Sequence, residues 1–189
     1  MTFGKFMLIP LFIAFQAFTM MVIAPHIPGA DKVLLGAPGL ITWIAFQAWA
    51  MYFLAGCTPK MGAKTFAGYA GGILAAIAIF ELNGALSSLN TPSMQLGLCL
   101  AVFIVVIPVI MMEKVPGLDF IPAYFIGAGV YFALMTHGGK PAGMDMGTWY
   151  GTAALAELVA CAIGLVYGCI TVIVRTWYTA KVAPAAAPK

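Results

Sequence analysis

Residues 116–151 read PGLDFIPAYFIGAGVYFALMTHGGKPAGMDMGTWYG, and they resemble an earlier stretch, residues 38–68, which reads PGLITWIAFQAWAMYFLAGCTPKMGAKTFAG. Both stretches begin with Pro-Gly-Leu and reach a Tyr-Phe pair, after eleven residues in the earlier copy and twelve in the later one. Each then passes through a turn that contains Gly and Lys into an apolar run that begins with Thr and an aromatic residue. The identities are few and one gap is needed, so the internal repeat is a hypothesis. Internal repeats of this size are typical of transporter folds.

The composition fixes the class of protein. Hydrophobic residues make up 63% of the 189 residues and charged residues only 8%, and the mean hydropathy is +1.02. In soluble domains about a quarter of all residues are charged. The nine basic and six acidic side chains mostly lie between long apolar runs. The sequence therefore predicts an integral membrane protein.

Six apolar runs are long enough to be candidate membrane spans. They do not alternate apolar and polar residues as the strands of a membrane barrel do, so the prediction is an all-α protein with six transmembrane helices. The runs cover residues 6–24, 39–56, 65–87, 94–112, 120–135 and 147–175.

The six runs form one predicted domain. We expect a single transmembrane domain over residues 1–178, with repeat halves at 6–88 and 94–175, followed by a disordered cytoplasmic tail at 179–189 that is rich in Ala and Pro. The first run, residues 6–24, has about 19 residues, which is longer than the apolar part of a secretory signal. We therefore expect it to be a span that stays in the protein.

The basic residues predict the orientation of the chain. With six spans both termini lie on one side, and that side carries seven of the nine basic residues. The positive-inside rule then places both termini in the cytoplasm. The seven are Lys5, Lys60, Lys64, Lys114, Arg175, Lys181 and Lys189, and the opposite side has Lys32 and Lys140.

The repeat has a topological consequence. Each half contains three spans, an odd number, so the second half enters the membrane upside down relative to the first. A 3+3 inverted repeat is an architecture of channels and transporters, with the pathway at the interface of the halves. A shorter echo, IAFQAF at 13–18 and IAFQAW at 44–49, gives each of the first two spans a glutamine, Gln16 and Gln47.

Glu157 is the most informative single residue. It lies within the apolar segment TAALAELVA, about 15 Å from the outer end of the last span and so near the membrane midplane. A charged group at that depth costs about 2.5–3.5 kcal/mol on insertion scales and is usually functional. One interpretation is a pathway or proton-relay residue, and the alternative is a neutral acid that is hydrogen-bonded between helices.

Other polar residues in the spans are further pathway candidates. Glu81 and Asn83 lie in the outer half of the third span, where Glu81 either shares an external vestibule with Glu157 or reaches interfacial water from the helix end. Gln16 and Gln47 are expected to be buried amides that hydrogen-bond between helices, with pore lining as the alternative.

Two tyrosines and six glycines complete the candidate residues. Tyr52 and Tyr131 occupy matching positions of the repeat, and each is either a packing or membrane-interface residue or part of a pathway lining. Glycines at four-residue spacing allow helices to approach closely, and some of these faces are expected to serve a homo-oligomer. The predicted helix-packing glycines are Gly68, Gly72, Gly147, Gly151, Gly164 and Gly168.

The sequence contains no signature of a familiar enzyme. It has no phosphate-binding loop, dinucleotide fingerprint, zinc motif or nucleophile elbow, and the four cysteines form no CxxC pair. We therefore expect no enzymatic activity, no cofactor, no metal site and no nucleic-acid partner, and we interpret the cysteines as packing residues.

The layout resembles the low-CO2-inducible plasma-membrane proteins of green algae and the related family of small membrane proteins of unassigned function. The resemblance is carried by chain length, the opening MTFGKF at 1–6, the Gly- and Ala-rich spans and the Ala-Pro tail at 183–188. It implies a plasma-membrane location, a role in CO2 or bicarbonate entry and a trimer, and it transfers no residue roles.

Three functions fit these predictions. The first is a channel for a small solute, with CO2 preferred over bicarbonate because no span interior contains a basic residue that would bind an anion. The second is a proton- or cation-coupled transporter in which Glu157 titrates, ranked lower because six spans are few for alternating access. The third is a membrane subunit that scaffolds a partner such as a pump.

Overall fold

The computed structural model describes residues 1–26 and 39–182, and this part of the chain is almost entirely helical. Its long helices are α1 (Leu8–Ile23), α2 (Gly39–Leu54), α3 (Pro59–Ala85), α4 (Leu96–Met111), α5 (Ile121–His137) and α6 (Met146–Val182). One helical turn, Phe3–Phe6, precedes α1. Short 3₁₀ turns lie at Ala24–His26, Ser87–Leu89 and Met112–Lys114, and the two-residue strands Asn90–Thr91 and Met94–Gln95 pair antiparallel between α3 and α4.

The helices confirm the all-helical membrane class. Four stretches of the described chain are long and apolar enough to cross a membrane, namely Phe3–Ile23, Pro59–Ala85, Leu96–Lys114 and Met146–Val182. The other two helices, α2 and α5, are apolar but shorter, with 16 and 17 residues. Six complete spans and an inverted repeat therefore stay predictions.

Local sequence explains where α3 begins. The helix starts six residues before the expected start at 65, because the side chain of Thr58 caps it by accepting a hydrogen bond from the backbone N–H of Met61 at 3.2 Å. Pro59 occupies the first turn, where its missing N–H leaves no helical hydrogen bond unmade. The preceding turn is tight, since Gly56 has a φ of 103°, a conformation that favours glycine. α2 and α3 therefore form an antiparallel hairpin.

The centre of the molecule consists of two closely packed helix pairs. α2 packs along α6, and α3 packs along α5. In the first pair a side chain at Gly164 would collide with the backbone oxygen of Ala45, and in the second a side chain at Gly72 would collide with the backbone oxygen of Tyr124. Backbones come this close in membrane helices only where one of them carries glycine.

The other two helices lie at the periphery. Only 17% of the α1 span and 11% of the α4 span are buried, compared with 39% for both α3 and α6. The start of α1 lies beside the end of α6, because the Tyr178 hydroxyl donates a hydrogen bond to the backbone oxygen of Lys5 at 2.7 Å. The two ends of the described chain therefore lie at the same end of the helix bundle.

The structure corrects two expectations. α6 continues to Val182, so the first four residues of the expected tail at 179–189 are helical, and 183–189 lie outside the described residues. A cation–π contact of Lys181 over the Trp177 ring, at 4.2 Å, accompanies this last turn. Gly147 and Gly151 do not mediate close helix packing among the described residues, since a side chain at Gly151 would meet open space there and one at Gly147 only the carboxylate of Asp145.

Candidate functional site

The candidate site lies where α6 meets α2, α3 and α5. Buried residues on one face of α6 contact a different helix at each level: Ala153 packs in a cluster with Ile73 of α3, and Cys161 packs in a cluster with Ala48 of α2. Between them Ala160 packs in a third cluster that contains residues of α2 and α5. Glu157 lies on the same face at the junction of the three clusters.

The carboxyl group of Glu157 is completely buried and has no partner. Its exposed fraction is 0%, and neither carboxyl oxygen makes a hydrogen bond to any residue that the structure describes. The residue lies eleven positions after the start of α6, about 16 Å along the helix. An ionised carboxylate without a partner in such a place costs several kcal/mol. The site therefore supplies nothing among the described residues that would stabilise a charge on this carboxyl group.

The side chains around Glu157 are uncharged and carry hydroxyl or thiol groups. The hydroxyl of Tyr69 on α3 is also buried without a partner among the described residues. The hydroxyl of Tyr131 on α5 donates to the backbone oxygen of Tyr150 at 2.9 Å. Cys161 follows one turn after Glu157 and is also fully buried. The junction thus holds an acid and three weaker acids away from solvent.

Tyr69 is a member of the site that the sequence did not single out. Its position follows from the glycines beside it, because Gly68 allows the Ala123 side chain of α5 to approach and Gly127 of α5 lies directly against the Tyr69 backbone. A side chain at Gly127 would come within 2.7 Å of the Tyr69 Cα. The available signal was the position of Tyr69 between Gly68 and the pair Gly71 and Gly72, which marks this part of α3 as a close helix contact.

Glu81 and Asn83 are not part of the buried junction. Glu81 is exposed and lies beside the hydroxyl of Tyr150. Tyr150 precedes Glu157 by seven residues, or about 10 Å, along α6. The side-chain oxygen of Asn83 accepts a hydrogen bond from Asn90 at 3.1 Å. Asn90 in turn accepts from the backbone N–H of Gly97 at 2.8 Å, so Asn83 stabilises the turn between α3 and α4.

Gln16 makes the interhelical hydrogen bonds that its sequence position predicts. Its side-chain oxygen accepts from the hydroxyl of Thr171 at 2.8 Å, and its amide nitrogen donates to the backbone oxygen of Tyr167 at 3.3 Å. The indole N–H of Trp49 donates to the same Thr171 hydroxyl at 3.0 Å. This buried network joins α1, α2 and α6.

Gln47 was expected to be a buried amide, and this expectation is wrong. The side chain is exposed and lines an open groove between α2 and α5 with a volume of about 300 Å³. The physical reason is the packing of α2 against α6, which turns Ala45, Ala48 and Tyr52 inward. Gln47 then falls on the opposite side of the helix.

The repeat-matched tyrosines have different surroundings. Both are buried, with exposed fractions of 3% for Tyr52 and 0% for Tyr131. Tyr131 lies at the junction with Glu157, whereas Tyr52 packs on Gly168, where an added side chain would come within 2.7 Å of the Tyr52 Cβ. Gly168 is eleven residues beyond Glu157, about 16 Å along α6. Of the matched pair, only Tyr131 therefore belongs to the candidate site.

One ion pair lies at the end of the bundle where α2 turns into α3. The Lys64 ammonium contacts both carboxylate oxygens of Asp119, at 2.6 and 2.9 Å, and so ties α3 to the turn before α5. Hydrogen bonding from Lys64 lowers the pKa of Asp119 below its ordinary value. Across the described ranges, no group of three or more His, Cys, Asp or Glu side chains is positioned to hold a metal ion.

Comparisons with known proteins place the chain in a family. Neither the curated proteins nor the solved structures give a match to this chain. The particular resemblance to the algal low-CO2-inducible proteins is therefore not confirmed. Residues 27–176, which include the whole candidate site, match the family described as Protein of unknown function (DUF1097). Because this match covers most of the 189 residues, the chain belongs to that family.

Proposed function

We propose that this protein is a multi-pass membrane transporter of a small solute in which Glu157 takes up and releases a proton, or binds a cation, during the transport cycle. The observation that carries the proposal is the complete burial of Glu157 with both carboxyl oxygens unpaired. An ionisable residue within a membrane span is costly, and where it has no structural partner its retention is best explained by function.

The shape of the junction favours a transporter over a permanently open channel. Five cavities of about 150–470 Å³ open between helices, and none of these five has Glu157 in its lining. Because Glu157 is also completely buried, a solute reaches it only after the helices around it move apart. Alternating access of this kind is the usual mechanism where a buried site lies at the interface of two repeats.

The order of helix packing supports a 3+3 inverted repeat with six spans. If the first three helices correspond to the last three, the pair α2–α6 corresponds to the pair α5–α3, and these are the two closely packed pairs of the bundle. If all six helices span, seven basic residues lie on the side of the termini, which supports the proposal of a plasma-membrane protein with both termini in the cytoplasm. The two short helices then lie in the membrane within the bundle.

The buried polar residues bear on the chemistry of the solute. The described residues with buried polar or charged side chains are Gln16, Thr42, Thr65, Glu157 and Thr171. Lys and Arg do not occur among them, and an anion such as bicarbonate would be held most simply by such a group. A passive channel for a neutral solute, with CO2 as the preferred example for inorganic-carbon uptake, is the second candidate function.

Flux measurements in proteoliposomes that contain only this protein separate the candidates. Stopped-flow entry of CO2 and of bicarbonate is recorded with and without an imposed pH gradient, while an internal dye reports proton movement. We expect the gradient to accelerate solute entry in the unmodified protein. Glu157→Gln should abolish this acceleration, whereas the matched change Glu81→Gln, at an exposed position, should preserve it.

Each alternative has its own result. Flux that is equal with and without the gradient, and unchanged in Glu157→Gln, would contradict the coupled mechanism and establish a passive channel. No flux of either solute and no proton movement would indicate a subunit that scaffolds a partner pump, and the transport proposal would fail.

A further inference from the structure

We propose that the groove between α2 and α5 is the surface on which a second copy of this chain binds within the membrane. The groove is open, with a volume of about 300 Å³, and its exposed lining is formed mainly by Trp43, Gln47, Phe125, Ile126 and Gly129. Trp43 and Phe125 are 57% and 51% exposed. This inference rests on α2 and α5 lying in the membrane, and it is independent of whether the protein transports a solute.

A polar group marks the groove. The Gln47 amide makes no side-chain hydrogen bond to the described residues, and it lies eight residues after the start of α2, about 12 Å along the helix. Lipid tails offer an amide no donor or acceptor, so a lipid-facing Gln47 would stay unsatisfied. A protein surface that supplies both a donor and an acceptor removes this cost.

A second copy supplies such a surface by symmetry. A glutamine side chain both donates and accepts hydrogen bonds, so two copies of Gln47 that meet at a symmetry axis satisfy each other. Gly129 lies opposite on α5, also eight residues after the helix start, and a side chain there would meet open space. A bulky side chain at position 129 would therefore enter the groove near the depth of Gln47.

Dilution in the membrane tests the proposal. Labelled protein is reconstituted at falling protein-to-lipid ratios, and single-molecule photobleaching counts the copies in each liposome. We expect Gly129→Leu, which fills the groove without touching the fold, to become monomeric at ratios where the unmodified protein is still oligomeric. Gly151→Leu is the matched control, because Gly151 is also exposed and open but lies on α6. Gln47→Leu should weaken self-association by about three- to thirtyfold.

Cross-linking tests the geometry. In a background in which the four native cysteines are replaced, Gln47→Cys should form a disulfide with its own copy, whereas Leu155→Cys, which is 59% exposed on α6, should not. A protein that is monomeric at every ratio would overturn the proposal and leave lipid as the occupant. An oligomer that Gly129→Leu and Gln47→Leu leave unchanged would overturn it too, as would a Gln47→Cys cross-link formed only to a different protein.

Discussion

Replacing Glu157 by leucine should make the protein more stable. Glu157 is 0% exposed, and both of its carboxyl oxygens lack hydrogen-bond partners among the described residues. A buried polar group without a partner costs about 1–3 kcal/mol, and leucine removes this cost while filling a similar volume. We therefore expect Glu157→Leu to raise the free energy of unfolding by about 1–3 kcal/mol. The same change should abolish transport.

Gln16→Leu is the matched control, and the expected sign is opposite. Gln16 is also buried, at 5% exposure, but both ends of its amide are hydrogen-bonded to α6. Removing these bonds should lower the free energy of unfolding by about 1–2 kcal/mol, since each hydrogen bond between membrane helices is worth roughly 0.5–1.5 kcal/mol. The two substitutions replace a buried polar side chain by the same apolar one and differ only in whether hydrogen bonds are lost.

Equilibrium unfolding of the purified protein in mixed micelles, with increasing denaturing detergent, measures both changes by tryptophan fluorescence and circular dichroism. The reasoning requires the two variants to shift the midpoint in opposite directions. If Glu157→Leu destabilises the protein as much as Gln16→Leu does, the carboxyl group has a partner that holds it in place. Glu157 would then be a structural residue, and the observation that carries the proposed function would be lost.

Two further predictions concern packing and charge. Gly164→Ala should destabilise the α2–α6 pair by about 1–3 kcal/mol, because the added methyl group collides with the Ala45 oxygen, whereas Gly129→Ala in open space should be neutral or stabilise the helix by up to about 1 kcal/mol. Thermal unfolding compares the two, and equal shifts would contradict the close approach. The Lys64–Asp119 pair should stabilise the protein at neutral pH, so Asp119→Asn should lower the thermal midpoint there. Because the pair lowers the pKa of Asp119, its contribution is present above the unfolded pKa near 3.9 and disappears as the pH falls through the folded value. A difference between Asp119→Asn and the unmodified protein that persists in acid would refute this.

The sequence predicts the helices well and their ends poorly. All six apolar runs contain a helix, but α3 begins at Pro59, before its predicted run, and α6 continues at least to Val182, beyond its predicted run. Hydropathy reports the depth of a residue in the membrane, and a helix continues into the interfacial region as long as its capping residues allow. The cap at Thr58 decides where α3 begins, and a contact of Lys181 with Trp177 accompanies the continuation of α6. Both are local features that a hydropathy profile does not register.

Which side of a membrane helix faces inward is harder to predict. Gln16 and Gln47 lie in nearly identical hexapeptides, yet one is buried in a hydrogen-bond network and the other faces outward. In a soluble protein the polar face of each helix would identify its exposed side. Here the lipid and the protein core are both apolar, so polarity does not distinguish the inward face of a helix, and small residues are the remaining signal. The glycine spacing correctly predicted close helix contacts at Gly72 and Gly164. Gly151, which has the same spacing from Gly147, meets no other described helix.

The two ends of the bundle are packed by different means. The glycine contacts of the two central pairs extend from the middle of the bundle toward the end where α2 turns into α3, with Gly164 and Gly168 against α2 and Gly68 and Gly72 against α5. At the opposite end aromatic rings fill the space between helices. There the ring of Phe80 lies 4.8 Å from Phe132 and 6.3 Å from Tyr150.

An inverted repeat that had kept its symmetry would place one glycine contact at each end of the bundle. The halves of this chain, if they share an origin, have therefore diverged in packing while keeping the order of helix pairs. The surroundings of the matched tyrosines differ in the same way, since Tyr52 packs on Gly168, whereas Tyr131 lies beside Glu157 and donates a hydrogen bond to the backbone of Tyr150. Backbone contacts through glycine leave little room for adjustment, whereas side chains are able to change rotamer. Because side chains rather than backbones meet there, we expect the helix movement that the proposed transport cycle requires to open the end at Phe80, Phe132 and Tyr150.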